Sequence, residues 1–398
     1  MKVLLVHDLL RPPSGENTVF HIERKLLEEG EVDVITYVKD NTDISSYSFF
    51  EHARVPFGLM WSFESYGKFR RLIQKNKPDI VHFHNIFPLI SPSAYYACQA
   101  EKVPVVQTLH NHKLFCPCGY LLRNNRICTA CIDKSLWHSI KNACYHDSKA
   151  HTGWFATMLY MHRQLGTWSE KVDCYITLTN FAKKLYSNAG LPEHKIYVKP
   201  NFIPDPGIYE NKFGDYGIFV GRLGVEKGLE PLLRAIKKLG DIPFKFVGDG
   251  PLKSKLEGIA RELNLHSVAF CGFRSQEDTF SLLKKASFLV LPSICYEGFP
   301  MVILEAMSLR VPVVTTNLGG LPEIIKEGYS GYIVEPNDAD GLAAKMKLLV
   351  GNRSLCDMLG SNARKEYEEK YTPKRNFELL MGIYAETIQK KKNGDGVI

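Results

Sequence analysis

Short β-branched or aliphatic runs alternate with amphipathic stretches along the whole 398-residue chain, and the rhythm occurs twice. Such alternation calls for parallel strands joined by helical crossovers, because the βαβ unit is how a parallel pair is connected and covered. In the first half the runs fall at residues 2–7, 32–37, 79–84, 103–109, 174–178 and 195–199. In the second they fall at 217–220, 244–247, 268–271, 288–291, 312–316 and 331–334. The pattern predicts an α/β protein of two Rossmann-like, doubly wound parallel-sheet domains, 1–203 and 204–372, with a crossover helix and tail over 373–398. Pro200, Pro204, Pro206, Gly207 and Gly214 cluster at the join, a composition that suits a hinge. Three helical patterns at 340–350, 354–370 and 373–392 follow the last strand, and the final one is expected to cross back to the first domain.

Composition narrows the function. At 45% hydrophobic and 23% charged residues the chain is ordinary for a globular protein, which excludes collagen-like, low-complexity and globally disordered classes. No apolar run approaches the roughly 20 residues that span a bilayer. Residues 1–10 lack the features of a signal peptide and read as a first strand, so a cytoplasmic protein is expected. The formal net charge is +7, and residues 1–200 carry most of it, with 24 basic against 18 acidic side chains. Within them, residues 102–149 hold Lys102, Lys113, Arg123, Arg126, Lys134, Lys141 and Lys149 against only Asp133 and Asp147. An acidic ligand or an anionic membrane surface is the partner such a segment suggests, a solvated face being the plainer alternative. Basic helices, fingers and aromatic-plus-basic sheets are missing, which argues against nucleic acid.

Open α/β sheets bind ligands outside the carboxyl ends of their strands, so the residues that follow strands carry the chemistry. After the run at 217–220 comes Gly221-Arg222-Leu223-Gly224-Val225-Glu226-Lys227-Gly228, a glycine-interleaved loop entering a helix. Arg222 offers a bidentate fork and Lys227 a point charge, a pair suited to clamping a diphosphate beside the helix N-terminus. After the run at 288–291 comes Glu297-Gly298-Phe299-Pro300-Met301-Val302-Ile303-Leu304-Glu305. Its two glutamates would stand about 12 Å apart if the stretch were wholly helical. That spacing is too wide for a glycosidase pair around one bond and suits two carboxylates gripping the ends of an elongated ligand. Pro300 is expected in the first helical turn. Asp338-Ala339-Asp340 opens a helix and reads as an N-cap rather than a cation site.

On these motifs the chain resembles the retaining, nucleotide-sugar-dependent glycosyltransferases of family 4, whose GT-B fold sets two such domains face to face across a cleft. The resemblance rests on Glu297 and Glu305, on Arg222 with Lys227, on Val247-Gly248-Asp249-Gly250-Pro251 and on Gly319-Gly320-Leu321-Pro322-Glu323-Ile324. It implies that Arg222 and Lys227 neutralise the donor diphosphate and that Glu305 binds ribose hydroxyls. Glu297, with Gly298 and the amides of Phe299, Met301 and Val302, would hold the donor sugar. Gly15 would lie against the diphosphate from the first domain, although Ser14-Gly15 stands where the family usually has Gly-Gly. His110 would face the donor sugar. The implied reaction passes a hexosyl unit, from a UDP-sugar sooner than a GDP-sugar, to a glycan or lipid-linked saccharide in cell-surface polysaccharide synthesis. It would do so without a catalytic metal, by an enzyme lying peripherally on the inner membrane face. The rival expectations are a sugar-nucleotide epimerase, which should line its site with more acid/base groups than His110, and a non-catalytic nucleotide-sugar sensor.

Five of the ten cysteines crowd into residues 116–144. Cys128-Thr129-Ala130-Cys131 is a CxxC knuckle flanked by Cys116 and Cys144, and a structural zinc on those four thiolates is the sharper expectation. Buried thiols are the alternative. A Cys-rich segment of this kind resembles that of a bacterial polysaccharide or lipopolysaccharide subgroup of the family.

Overall fold

A computed structural model describes residues 1–9, 15–40, 58–207 and 214–394. Its strands are β1 (Lys2–Leu9), β2 (Asp33–Asp40), β3 (Ile80–Asn85), β4 (Val105–Thr108), β5 (Leu122–Arg123), β6 (Arg126–Ile127), β7 (Cys174–Thr177), β8 (Ile196–Val198), β9 (Gly217–Val220), β10 (Phe244–Val247), β11 (Val268–Gly272), β12 (Phe288–Leu291), β13 (Val313–Thr316) and β14 (Gly331–Val334). Two compact units form. One comprises Met1–Gly119, Thr129–Asn201 and Lys374–Ile398, the other Tyr120–Cys128 and Phe202–Pro373. Each contains a six-stranded parallel sheet, in the orders β2-β1-β3-β4-β7-β8 and β11-β10-β9-β12-β13-β14. All twelve runs in the sequence become strands of these sheets. The antiparallel hairpin β5–β6, two residues to a strand, is too short to leave a periodic signal.

In the first unit β1 is buried along almost its whole length, the pattern of a strand covered on both faces. One cover is helix α1 (Gly15–Glu29), whose buried stripe is Val19, Phe20, Glu23, Leu26 and Leu27. The spacing is helical and apolar except for one carboxylate, Glu23, in its middle. In the second unit α2 (Leu229–Lys238) buries Leu229, Leu232, Leu233 and Ile236 by the same rule. Two further helices of that unit matter for the site: α3 (Met301–Ser308) and α4 (Ala339–Leu349). Asp338 caps α4 by accepting from the Gly341 amide at 2.8 Å, while Asp340 pairs with Lys238 at 2.6 Å. The Asp-x-Asp sequence is therefore a helix start.

The chain after Asn201 is fastened to the second unit by α5 (Arg353–Lys370). Arg364 forks onto the Asp205 carboxylate at 2.8 and 2.6 Å, and Tyr367 donates to the Ile203 carbonyl at 3.0 Å. The expected hinge at 200–214 is described only as far as residue 207 and again at 214. The last helix, α6 (Pro373–Gly394), returns to the first unit. Leu380, Ile383 and Tyr384 join Val3, Leu5, Phe20, Ile80, Val106 and Ile176 in one apolar cluster. No helix is long and apolar enough to cross a membrane among the described residues.

This return should be costly to disturb. Leu380→Ala is expected to destabilise the first unit by about 3 kcal/mol, the usual range for truncating a buried leucine. Glu386→Ala removes only exposed contacts to Tyr197 and Lys390 and should cost under about 0.5 kcal/mol. Chemical denaturation of both variants checks this, and equal midpoint shifts would contradict the packing described.

Candidate functional site

In each sheet the strand order reverses between neighbours, β1 beside β3 and β9 beside β12, and an open α/β sheet forms its crevice at such a point. The pairing of β9 with β12 covers only Gly217 with Phe288 and Ile218 with Leu289, whereas β9 and β10 pair over four positions. The loops leaving β9 and β12 thus part from each other at their carboxyl ends. These loops carry Arg222 and Lys227 on one side and Ser293 and Glu297 on the other.

A glycine fixes their approach. Gly228 has φ +63°, and a Cβ there would lie 2.1 Å from the Pro292 carbonyl oxygen, so no side chain fits between the two loops. Lys227 Nζ consequently reaches Glu297 Oε1 at 2.6 Å, and the Ser293 hydroxyl donates to the same oxygen. Burial by itself would lower the Lys227 ammonium, but the Glu297 carboxylate outweighs it and holds the group above its ordinary value. Arg222 remains half in solvent, donating to the Tyr120 hydroxyl at 3.1 Å with Glu226 at 3.7 Å. Tyr120 belongs to the hairpin segment of the second unit, a neighbour that spacing along the sequence does not indicate.

Helix α3 begins at Met301, with Pro300 at its N-cap and no side chain capping the end. Pro300 is thus one position earlier than the first-turn placement expected. Glu297 lies in the loop before the helix, so the 12 Å estimate for a wholly helical stretch does not apply. Phe299 is buried edge-on against Tyr371, while Gly298, Met301 and Val302 are half-buried. Glu305 lies on α3 itself, and burial alone raises its carboxyl from 4.5 to about 7. Uncapped amides, a guanidinium and an ammonium suit a diphosphate, and a carboxyl in an apolar helix suits hydroxyls.

In the first unit His110 follows β4 and is buried. Its imidazole is held well below the ordinary range by burial and by the neighbouring His84 and His7. His84 Nδ1 stands 3.0 Å from His110 Nε2, and both rings line a cavity with Asn85, Gln107, Asn111 and Lys113. Gly15 is the exposed first residue of α1, while Ser14 lies outside the described residues. The sequence reading missed what surrounds His110. His82 and His84 alternate along β3 and so share one face of the sheet, and Glu23 meets them from α1. Two histidines at period two in an apolar strand, and a glutamate inside an apolar helical stripe, were the available signals. Their presence also corrects the argument against an epimerase, since His110 is not the only titratable group there.

Among the described residues, one set of three side chains brings possible ligand atoms within 4.8 Å of one another, and it is Glu23, His82 and His84. Lys199 Nζ, 2.8 Å from Glu23, already supplies the positive charge at that place. Cys116, Cys128, Cys131 and Cys144 form no such set. Cys116 lies beside Cys118 instead, with the sulfurs 3.3 Å apart, and none of the ten cysteines is in a disulfide. Cys128 ends the hairpin segment grouped with the second unit, whereas the other three belong to the first.

Two family models cover most of the chain: Glycosyltransferase Family 4 matches residues 15–205 and Glycosyl transferases group 1 matches 204–366. The chain belongs to this glycosyltransferase family. A relative is an uncharacterised glycosyltransferase of Methanocaldococcus jannaschii, 28% identical over 394 residues, with 97% of this chain and 98% of the relative covered. Sucrose-phosphate synthase of Thermosynechococcus elongatus has the same fold, with a TM-score of 0.72 at 16% identity over 98% of this chain and all of that one. Anabaena HepE, solved in complex with UDP, is similar with a TM-score of 0.67 at 16% identity, covering 97% of this chain and 100% of its own. As in other members of the family, the fold is GT-B, two parallel-sheet α/β domains.

Glu305 provides a test with a definite sign. Its carboxyl is raised in the fold from 4.5 to about 7, so the neutral form is the favoured one. Its contribution to stability is fully present below pH 4.5 and is lost as pH rises through about 7. Glu305→Gln stays neutral throughout and should therefore raise the melting temperature of the ligand-free glycosyltransferase at pH 8 while leaving it nearly unchanged at pH 4. Thermal scans at both values decide it; a difference that does not vary with pH would overturn the assignment.

Proposed function

We propose that this glycosyltransferase transfers a hexosyl unit, with retention of anomeric configuration, from a nucleoside diphosphate sugar to a glycan or lipid-linked saccharide. The observation that carries the donor reading is the Lys227–Glu297 pair, held at 2.6 Å beside the uncapped start of α3 at the sheet's reversal point. Loss of the nucleoside diphosphate builds negative charge on the β-phosphate, and cations fixed there stabilise it most where it develops. As the C1–O bond breaks, its electron pair passes to the β-phosphate oxygen. The acceptor oxygen bonds to C1 on the same face and gives its proton to that phosphate oxygen. No side-chain nucleophile and no metal is needed in this scheme, because Arg222 and Lys227 carry the counter-charge. UDP in the HepE complex favours uridine as the base.

The acceptor half of the reading rests on the first unit. Lys134, Trp137, Lys141, Lys149 and Tyr160 are exposed there, a combination suited to an anionic lipid surface at the cytoplasmic membrane face.

Thermal-shift and hydrolysis measurements with UDP-, GDP-, ADP- and CMP-sugars, without added metal, test the donor site. A UDP-sugar should raise the melting temperature and be slowly hydrolysed. Glu305→Ala should weaken nucleotide binding roughly tenfold or more, about 1.4 kcal/mol. No shift with any nucleotide sugar would sink the donor assignment, and an inverted product would sink retention. For the membrane, binding to anionic vesicles should fall steeply with salt and weaken in Lys134→Ala/Lys141→Ala/Lys149→Ala; binding indifferent to salt would refute it.

A further inference from the structure

We propose that Tyr120 is a positioning residue for Arg222: its hydroxyl holds the guanidinium off the neighbouring Glu226 carboxylate, so that the charge stays available to an incoming diphosphate. The inference rests on the donor-site reading above, and all three residues belong to the second unit.

Arg222 stands on a backbone that does not follow its side chain. The Gly221 amide donates to the Val247 carbonyl and the Leu223 amide to the Asp249 carbonyl, each at 2.9 Å. Gly248 has φ +134°, and a Cβ there would lie 2.0 Å from the Gly221 carbonyl oxygen, so the loops after β9 and β10 meet backbone to backbone. Only the side-chain torsions of Arg222 are left to choose a partner. Among the described residues two acceptors stand near the same nitrogen. The Tyr120 hydroxyl accepts from Nη1 at 3.1 Å, and Glu226 Oε1 lies 3.7 Å from it. The second is an ion pair held open, since a charge-assisted N–H···O bond closes to about 2.7–2.9 Å.

Glu226 is a strong competitor for that guanidinium. It is only 8% exposed, and its carboxylate folds against Gly224, where a Cβ would lie 2.3 Å from Oε2. Its carbonyl accepts from the Ile294 amide at 2.9 Å, so its backbone is fixed as well. A carboxylate so nearly buried gains from any cation drawn fully onto it. A closed pair would fill the guanidinium fork and cancel the charge that a diphosphate needs. A tyrosine hydroxyl is neutral and accepts one of the five N–H donors, leaving the others and the whole charge for a ligand.

Tyr120 is held in turn by its hairpin. Leu121 is fully buried, and its carbonyl accepts from the Cys128 amide at 2.8 Å. Arg123 pairs with Arg126 across a two-residue turn, Asn124 and Asn125, both at positive φ. At the turn the Asn125 carbonyl accepts from Asn337 Nδ2 at 3.4 Å. Arg222 follows β9 and Asn337 follows β14, with β12 and β13 between them in the sheet. The hairpin is thus tied to loops on either side of the one that carries Glu297, and Tyr120 is fixed from both ends.

Calorimetric titration of UDP into the full-length protein tests the arrangement. Tyr120→Phe should weaken binding roughly tenfold, the scale of one hydrogen bond to a charged group. Glu226→Gln added to Tyr120→Phe should recover most of that loss, while Glu226→Gln alone should change the affinity by less than about threefold. Recovery is a readout that a merely structural role for Tyr120 does not move. An unchanged affinity in Tyr120→Phe, or a loss that is the same with and without Glu226, overturns the inference. A crystal structure of ligand-free Tyr120→Phe should show the guanidinium closed on Glu226, and an Arg222 that still stands off overturns the inference whether or not any nucleotide binds. If Tyr120→Phe does not fold, Glu226→Gln alone decides, because tightening beyond threefold means that the carboxylate already holds Arg222 in the native protein. Failure of the wild type to bind UDP, GDP or ADP, with Arg222 closed on Glu226 in Tyr120→Phe, instead overturns the donor-site reading.

Discussion

The reversal of strand order inside each sheet is the constraint on which the functional half of this protein depends. Crossovers leave β9 and β12 in opposite directions, so the two strands pair over only two positions and their following loops diverge. A divergence on its own would give two independent loops. Gly228 prevents that, because only hydrogen fits against the Pro292 carbonyl, and the contact delivers Lys227 to Glu297. The ion pair is therefore a consequence of backbone packing, and the positive charge is placed before any ligand contributes to placing it. In the first unit β1 meets β3 with a shift of register between Val6 and His7, next to the strand ends that carry His84 and Asn85.

The legibility of these features in the sequence tracks the distance over which they are encoded. Strands of a two-sided parallel sheet are continuous apolar runs, a local signal, and every run from residue 2 to residue 334 became a strand. The site loops of the second unit were equally legible, because Arg222, Lys227, Glu297 and Glu305 lie close after strand ends. The buried hydrogen-bonded group behind His110 was not. Its members come from α1, β3, the end of β8 and α6, with up to 177 residues between Lys199 and Asn376, and no local pattern joins them. Each left only a local oddity: Glu23 within an apolar stripe, and the His82–His84 alternation within an apolar strand.

The two units treat a buried carboxylate in opposite ways. Glu23 has a resident cation and imidazole donors within 3.2 Å, so its carboxylate is held well below the ordinary range despite burial, which alone would raise it. Such a group has its hydrogen-bonding capacity filled within the protein. Glu305 meets burial alone, which keeps its carboxyl near neutrality in pKa and costs the fold something as it ionises. A carboxyl of that kind can take up hydroxyl donors without first giving up an ion pair. What separates the two carboxyls is the partner beside them: Lys199 stands 2.8 Å from Glu23, while burial alone acts on Glu305.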